Sequence, residues 1–262
     1  MYTAPQITRL KSKTKIVMLT AYDYLMASYL EKTGVDIILV GDSLGMVFLG
    51  YKDTLEVTVE DVIYHVKAVK RGATHTMIVA DMPFMSYQES VRVAIKNAGQ
   101  LMKVSGASAV KLEGGTEICP QIKALVKIGI PVMGHIGLQP QSVNLYGGYP
   151  VQGVNEKDIE RLIVEAKALE KAGVFALVVE KVLSKTTALI TAAVKIPVIG
   201  IGSGPHCDGQ VLVTQDLLGA FEDFTPKFVK KYANVAGHST KALKNFISDV
   251  RSKKFPSKKY FY

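Results

Sequence analysis

The sequence predicts a (β/α)8 TIM barrel that forms a single domain over residues 1–262, with extra helices at its C-terminal end. Short runs rich in valine, isoleucine and leucine alternate with segments of helical periodicity along the chain. A length of 262 residues gives roughly 33 residues to each of eight repeating units, which suits a barrel of about 250 residues. Neither a linker nor a change in composition divides the chain.

The apolar runs are predicted to be the eight parallel strands of this barrel. Their high content of branched apolar residues is expected of strands that are covered on both faces. An open doubly wound sheet is the alternative, but it usually has a glycine-rich turn after its first strand, whereas here that strand ends in TAYDY. The predicted strands lie at residues 16–21, 36–41, 77–81, 108–112, 131–134, 174–179, 197–201 and 210–216.

The segments between the strands have the periodicity of amphipathic helices and carry helix start and stop signals. Thr58 is followed three residues later by Asp61, which is an approximate capping box. Asn155 and Gly173 are suited to begin and end another helix. The clearest helices are predicted at residues 58–71, 89–105 and 155–173, and additional helices after the barrel at 226–254.

The composition is that of a soluble globular protein. Hydrophobic residues make up 48% and charged residues 21% of the chain, and no apolar stretch approaches the roughly 18 uncharged residues of a membrane span. The two cysteines, Cys119 and Cys207, lie far apart and form no CxxC pattern, so neither a disulfide framework nor a zinc site is expected. These observations favour the cytoplasm and exclude a membrane protein.

The net charge of +9 raises the possibility of nucleic-acid binding, but the distribution of the charge argues against it. Most lysines and arginines occur at helical spacing, as on the solvated faces of amphipathic helices. Only the C-terminal SKKFPSKKYFY is a dense basic and aromatic cluster. We expect this tail to be solvated or to contact another subunit, and we expect the positive field to favour an anionic substrate.

Several of the predicted strands end on a charged residue. The runs DIILVGD, MIVADM, SAVKLEGG and FALVVE deliver Asp42, Asp81, the pair Lys111 and Glu113, and Glu180. An unpaired charge in apolar surroundings costs several kcal/mol or more, so these groups need partners. Because the C-terminal ends of all strands lie on one face of a parallel barrel, the sequence predicts a shared polar site there.

Asp42 and Asp81 are the candidate metal ligands. Carboxylates that converge on one point suit a hard divalent cation, and magnesium takes one or two of them while leaving positions for substrate oxygens. The alternative is that each carboxylate only caps the turn or helix that follows it.

Lys111 and Glu113 are two residues apart in a strand, so their side chains are expected to enter the barrel mouth together. Lys111 would supply a positive charge for a substrate carboxylate or enolate, and Glu113 would reach the metal directly or through water. A simple ion pair between the two is the alternative.

Glu180 is the candidate general base. It ends the most apolar run of the chain, and burial raises the pKa of a carboxyl group toward the range that a base near neutral pH needs. Pairing with a lysine of a neighbouring strand is the alternative. His135 also ends a strand, where it is either a structural donor or a possible active-site hydrogen bond. Tyr22 and Asp23 are weaker candidates, and Asp23 is also suited to cap a helix.

Two glycine-containing loops complete the set. The loop at 200–204, GIGSG, allows close backbone approach to a ligand but matches no phosphate-binding motif. The polar loop at 138–153 exceeds normal connection length and is predicted to be a lid or a subunit contact.

These residues occur in blocks that closely resemble the ketopantoate hydroxymethyltransferase family over about residues 17–215. The blocks, in the family's order, are TAYD, VGDSLGMV, ADMPF, VKLEGG, GHIGLQPQSVN, GGYPVQG, VIGIGSG and CDGQVLV. The resemblance implies that Asp42, Asp81 and Glu113 are the magnesium site and that Glu180 is the catalytic base. It also implies that the α-keto acid is bound by Asp42, Ser43, Asp81 and Lys111. The chain departs from the family pattern at Pro150, where a basic residue is expected, and at Ser203, where alanine is commoner.

The resemblance further implies an enzyme of one-carbon transfer. The family's reaction moves a hydroxymethyl group from 5,10-methylenetetrahydrofolate to 3-methyl-2-oxobutanoate and gives 2-dehydropantoate (ketopantoate), the first committed step of pantothenate and coenzyme A biosynthesis. The keto acid would chelate Mg²⁺, and Glu180 would remove the C3 proton to leave a magnesium-stabilised enolate. Family members look like ring-shaped homo-oligomers, commonly decamers, so the resemblance implies a homodecamer. We expect it in the cytoplasm, with small-molecule partners and with neither nucleic acid nor a membrane.

Two other classes of function stay open. A magnesium-dependent barrel of the phosphoenolpyruvate mutase and isocitrate lyase kind would need a catalytic cysteine or a cluster of phosphate donors, and neither cysteine lies at a suitable strand end. A non-catalytic binding or scaffold barrel would retain its function after Glu180→Gln.

Overall fold

The structure is a computed structural model that describes residues 2–222 and 224–262. The chain divides into two compact units, of which the first ends at Leu212 and contains the whole barrel. The second spans Val213–Tyr262. That residues 1–262 behave as one domain remains a prediction.

Eight parallel strands close into a barrel in sequence order, with β8 paired to β1. This confirms the predicted fold class. The predicted eighth strand is shorter than expected, because its pairing with β1 ends where Leu19 lies opposite Leu212. The strands are β1 (Ile16–Thr20), β2 (Ile37–Val40), β3 (Met77–Asp81), β4 (Ala109–Glu113), β5 (Val132–Gly137), β6 (Ala176–Glu180), β7 (Val198–Ile201) and β8 (Gly209–Leu212).

Helices precede the barrel and connect most of its strands. In the first unit they are α1 (Ala4–Thr8), α2 (Tyr24–Thr33), α3 (Leu44–Val47), α4 (Val59–Gly72), α5 (Val91–Gln100), α6 (Cys119–Lys127), α7 (Val143–Tyr146), α8 (Glu156–Ala172) and α9 (Ser184–Ala193). A π-helical turn, Leu101–Ser105, extends α5, and 3₁₀ turns lie at Thr116–Ile118 and Pro140–Ser142. Residues 202–208 join β7 to β8 without a helix, which departs from the regular alternation because this connection is too short for one.

The helix signals read from the sequence are confirmed by the capping contacts. The Thr58 hydroxyl accepts a hydrogen bond from the Asp61 N–H (3.1 Å), and the Asp61 carboxylate accepts one from the Thr58 N–H (3.0 Å). The Asn155 side chain accepts from the Asp158 N–H, and Gly173 ends α8 with a φ of 104°. The predicted helix at 89–105 starts at Val91 because Ser90 is its N-cap.

The barrel interior is filled by alternate residues of the strands, as period-two alternation requires. This interior cluster contains Ile16, Met18, Ile37, Leu39, Met77, Val79, Ala109, Met133, Ala176, Val178, Ile199 and Val211. Helix α1, which the sequence analysis did not predict, adds Ala4 and Ile7 to the same cluster. Continued toward the C-terminal ends of the strands, the alternation turns charged side chains into the barrel mouth.

The second unit contains the helices expected after the barrel. They are α10 (Thr214–Leu217) and α11 (Val235–Arg251), followed by a 3₁₀ turn at Lys258–Tyr260. Helix α11 exposes a stripe of large apolar side chains, Leu243, Phe246, Ile247 and Val250. Among the described helices of both units, none is long and apolar enough to cross a membrane.

Candidate active site

Ionisable side chains from several strands meet at the C-terminal mouth of the barrel. The closed parallel barrel brings these strand ends together, as the charged ends of the predicted strands indicated. All but Glu180 are almost completely buried. The cluster, which we call the mouth cluster, consists of Asp42, Asp81, Lys111, Glu113, His135 and Glu180.

Lys111 is the cation at the centre of the mouth cluster. Its Nζ lies 2.7 Å from Oδ1 of Asp81 and 3.6 Å from Oε1 of Glu113. Burial alone would lower the pKa of Lys111, but the charges of Asp81, Glu113 and Asp42 raise it above its usual value. Lys111 therefore carries a positive charge at any physiological pH. The predicted ion pair with Glu113 exists, and it is part of a larger network.

Asp42 and Asp81 share the end of the site next to β2 and β3. The Asp42 N–H donates to Oδ2 of Asp81 (3.2 Å), so the two residues are in contact. Burial, followed by the charges of Asp81 and Glu113, raises the pKa of Asp42 well above its usual value. Burial also raises the pKa of Asp81, although Lys111 opposes the effect. Asp42 and Asp81 are thus crowded with negative charge despite Lys111, and a further cation would stabilise them.

His135 connects the two glutamates of the mouth cluster. Its Nδ1 lies 3.3 Å from Oε1 of Glu113, and its Nε2 lies 3.3 Å from Oε2 of Glu180. Burial and the charge of Lys111 lower the pKa of His135, but Glu113 and Glu180 outweigh them and raise it to about 9. The raised pKa favours a positively charged ring between the two glutamates, while Nδ1 also lies 3.3 Å from Nζ of Lys111. Glu113 in turn has a lowered pKa, because His135 and Lys111 outweigh its burial.

Glu180 occupies the edge of the mouth cluster that is open to solvent. Its side chain is 16% exposed, and its partner on the neighbouring strand is His135 rather than the lysine considered from the sequence. Directly after it, Lys181 adopts a left-handed conformation with a φ of 49°. The Lys181 ammonium donates to the carbonyl of Tyr149, so a positive charge lies beside Pro150, where the family pattern has a basic residue.

The backbone on both sides of Glu180 is held in place. The Ser203 hydroxyl donates to the carbonyl of Val179 (2.8 Å) and accepts from the N–H of Val182 (3.1 Å). The Glu180 carbonyl accepts from the N–H of Leu138 (2.8 Å). Gly137 has a φ of 92°, and a Cβ there would lie 2.4 Å from the Glu180 carbonyl oxygen, so only glycine fits. Ser203 therefore supports the strand end that carries Glu180.

Three further residues named from the sequence are Ser43, Tyr22 and Asp23. Ser43 directly follows Asp42 in the chain, and its hydroxyl is 2.8 Å from the Tyr22 hydroxyl. Asp23 caps α2 by accepting a hydrogen bond from the Met26 N–H (2.8 Å), which confirms the structural alternative for this residue.

Gln141 and Tyr87 also belong to the site, and neither was predicted from the sequence. Gln141 lies in the predicted lid, but its side chain is only 4% exposed and donates to Asp42 (2.8 Å). Tyr87 is fully buried, and its hydroxyl contacts both Gln141 and the backbone of Glu113. Neither residue ends a strand, so strand ends could not have revealed them. The only local signal was the position of Gln141 inside the block GHIGLQPQSVN.

Neither cysteine is suited to nucleophilic chemistry. Burial raises the pKa of the Cys119 thiol above its usual value, and burial together with Asp208 raises that of Cys207 to about 11. Both thiols are therefore protonated near neutral pH, and the thiolate is the nucleophilic form.

The chain matches known proteins over almost its whole length. A family model described as ketopantoate hydroxymethyltransferase matches residues 1–258. A protein of Clostridium kluyveri named 3-methyl-2-oxobutanoate hydroxymethyltransferase is 56% identical over 248 residues, which cover 95% of this chain and 89% of that protein. A protein of the same name from Clostridium botulinum strain Langeland is 52% identical over 261 residues, covering 99% and 95%. These matches confirm the resemblance read from the sequence blocks.

Solved structures with a similar fold are much more distant in sequence. A 2,3-dimethylmalate lyase of the phosphoenolpyruvate mutase and isocitrate lyase superfamily superposes with a TM-score of 0.62 at 16% identity, covering 100% of this chain and 92% of that one. A phosphoenolpyruvate phosphomutase from Streptomyces platensis subsp. rosaceus gives 0.63 at 14% identity, covering 96% and 88%. At these identities the likeness concerns the fold alone.

Proposed function

Because this chain belongs to the ketopantoate hydroxymethyltransferase family, we propose that it transfers a hydroxymethyl group from 5,10-methylenetetrahydrofolate to 3-methyl-2-oxobutanoate to give ketopantoate. The observation that carries the proposal is the mouth cluster. It combines a solvent-accessible carboxylate, Glu180, with two fixed cations, Lys111 and His135, and with crowded carboxylates beside them. This set can remove a proton from an oxoacid and hold the charge that develops.

The residues fit a magnesium ion. Asp42 and Asp81 would hold it, with Glu113 beside it, because these buried carboxylates supply hard oxygen ligands and Lys111 is, among the residues that the structure describes, the one cation that the three of them share. In the described part of the chain, no group of three or more His, Cys, Asp or Glu side chains is arranged to hold a metal ion. Magnesium does not need one, since it usually keeps several waters. When bound, magnesium would act as a Lewis acid toward the carboxylate and keto oxygens of the substrate and so acidify its C3 proton.

Glu180 is the base in this proposal. Its carboxylate takes the proton from C3 of the oxoacid, and the contact with His135 Nε2 orients the carboxylate before the transfer. Lys111 and His135 hold the negative charge that develops on the substrate oxygens. The C3 carbon then forms the new bond to the methylene carbon of the folate, whose bonds to N5 and N10 both break. One water supplies the oxygen of the product hydroxyl, and the proton from C3 and one proton of that water end on N5 and N10 as tetrahydrofolate leaves.

The proposal extends to the setting of the enzyme. It includes a place as the first committed step of pantothenate and coenzyme A biosynthesis, in the cytoplasm, in a homo-oligomer such as a decamer. The exposed apolar stripe of α11 supports an oligomer, since isolated subunits rarely expose contiguous apolar surface of this kind.

The test is hydrogen exchange at C3 of 3-methyl-2-oxobutanoate in D₂O, followed by NMR with magnesium and without folate. We expect the wild-type protein to catalyse exchange and Glu180→Gln to slow it by roughly 10²- to 10⁴-fold. Calorimetry should find keto-acid binding retained in the variant. Exchange by Glu180→Gln at the wild-type rate would contradict the role of the base. Absence of exchange in folded wild-type protein would contradict the proposed chemistry.

The same experiment separates the alternatives. A scaffold protein would show neither exchange nor sensitivity to Glu180→Gln. A lyase or mutase like the distant fold neighbours would need a reactive thiol or phosphate donors, and the raised pKa values of Cys119 and Cys207 do not favour a thiol nucleophile.

A further inference from the structure

We propose that Gln141 is a positioning residue that holds the carboxylates of Asp42 and Glu113 in one orientation and thereby sets the affinity of the protein for magnesium. The inference rests on the proposed function, because it takes these carboxylates as the metal site. It adds a residue that lies outside the strands and carries no charge.

Gln141 contacts two carboxylates that come from different parts of the barrel. Its Nε2 donates to Oδ2 of Asp42 at 2.8 Å. Its backbone N–H donates to Oε2 of Glu113 at 3.1 Å. One residue therefore connects the carboxylate that follows β2 to the carboxylate at the end of β4. A carboxylate that is held by a fixed donor cannot rotate freely, and its remaining coordination directions stay constant.

The orientation of the Gln141 side-chain amide is determined by its surroundings. The Nε2 group also donates to the carbonyl of Met82 at 2.9 Å, so both of its hydrogens have acceptors. Oε1 faces two donors, the Tyr87 hydroxyl at 2.8 Å and Nε2 of Gln88 at 3.1 Å. A flipped amide would place its oxygen against Asp42 and Met82 and lose these contacts. The donor therefore always points at the Asp42 carboxylate.

Tyr87 anchors Gln141 to the strand that carries Glu113. The Tyr87 hydroxyl accepts from the Glu113 N–H at 3.1 Å and lies 2.8 Å from the Glu113 carbonyl. Tyr87 has no exposed surface, so this anchor is rigid. Gln141 itself lies in the 3₁₀ turn Pro140–Ser142, just after Leu138, whose N–H donates to the Glu180 carbonyl. The turn is thus tied to both the metal carboxylates and the strand of the base.

The test is a magnesium titration of the metal-free, full-length protein by calorimetry. Gln141→Met keeps the length of the side chain and removes its donor and acceptor, and we expect the Kd for Mg²⁺ to rise about 10- to 100-fold. Tyr87→Phe removes the anchor only, and we expect a rise of about 3- to 10-fold. The matched control is Gln121→Met, the same change at another buried glutamine, whose Nε2 donates to the Tyr87 carbonyl (3.4 Å) rather than to a carboxylate. It should stay within about twofold of wild type.

Thermal unfolding of each metal-free variant separates positioning from general damage. A lower melting temperature of Gln141→Met with an unchanged Kd for Mg²⁺ would overturn the inference, and so would an equal loss of affinity in Gln121→Met. If Gln141→Met does not fold, Tyr87→Phe decides on the same criterion. Wild-type protein that binds no magnesium would remove the metal from the proposed function and this inference with it. Wild-type and Gln141→Met proteins that bind magnesium equally would remove the inference alone.

Discussion

Buried carboxylates at the two ends of the barrel have opposite surroundings. At the N-terminal end, the Asp208 carboxylate accepts hydrogen bonds from the Lys11 ammonium (2.8 Å) and from the N–H groups of Val198 (2.9 Å) and Ser12 (3.3 Å). At the C-terminal end, the Asp42 carboxylate lies near other carboxylates and accepts a hydrogen bond from the side-chain amide of Gln141. The two aspartates are similarly buried, so burial alone does not distinguish a structural carboxylate from a functional one.

The direction of the strands explains the difference. The N-terminal end of a parallel strand presents free N–H groups, whereas the C-terminal end presents carbonyl oxygens. Val198 is the first residue of β7, and its N–H is one of the donors to Asp208. At the other end the strands present carbonyl oxygens, so the carboxylates there depend on N–H groups of the following loops, as Asp81 and Glu113 do, or on a side chain, a metal or a substrate. Carboxylates without full partners thus accumulate at the mouth, where chemistry can use them.

The largest effect on activity should come from Asp42→Asn, which alters a carboxylate at the C-terminal end of the barrel. We expect C3 exchange with magnesium to fall more than about 100-fold, because the loss of a metal ligand exceeds the loss of an outer partner. We expect the free energy of unfolding of the metal-free protein to stay the same or rise, since one crowded negative charge is removed. Urea unfolding measures this, and a fall of more than about 1 kcal/mol would contradict it.

Asp208→Ala should have the reverse profile. We expect the free energy of unfolding to fall by about 2 kcal/mol, because the change leaves the buried Val198 N–H without its acceptor. The partly exposed Lys11 ammonium also loses its carboxylate but keeps the Thr191 carbonyl (3.0 Å). C3 exchange and magnesium affinity should remain within about twofold of wild type at a temperature where the variant is folded. Asp208→Asn, which keeps an acceptor, should cost less. Loss of C3 exchange in folded Asp208→Ala would contradict a purely structural role for the carboxylate at the N-terminal end.

Glu31→Gln should have the smallest effect on the free energy of unfolding, and that effect should depend on pH. Although burial raises the pKa of Glu31, hydrogen bonds from the Thr76 hydroxyl and from the N–H groups of residues 74–76 bring it below its usual value. We expect the substitution to cost about 1 kcal/mol at pH 7.

The sign of the pH dependence follows from the lowered pKa of Glu31. The ionised carboxylate contributes its full stability above the usual value of 4.5, and the contribution is lost as the pH falls through the lower folded-state pKa. Urea unfolding from pH 7 downward should therefore show wild type and variant converging. A difference that grows toward acid pH would contradict the assignment.

Strand ends predicted much of the mouth cluster because two local rules coincide there. Alternation sends Lys111 and Glu113 to the same side of β4, and parallel strands bring their C-terminal ends to one face. The same reasoning could not assign partners. It offered a lysine for Glu180, whereas the neighbouring strand brings His135, and it left open whether Asp23 caps a helix, which it does.

The barrel, its strand order and the charged strand ends were predictable before any coordinates, because they depend on hydrophobic periodicity and on residues close together in the chain. The folded chain alone shows which charges face each other, and that Gln141 contacts the carboxylates while Tyr87 holds Gln141. It also shows that three donors surround the Asp208 carboxylate, whereas Asp42 receives one side-chain amide. These outcomes depend on distances between segments that are remote in sequence. Electrostatic energies change steeply with such distances, and no local pattern encodes them.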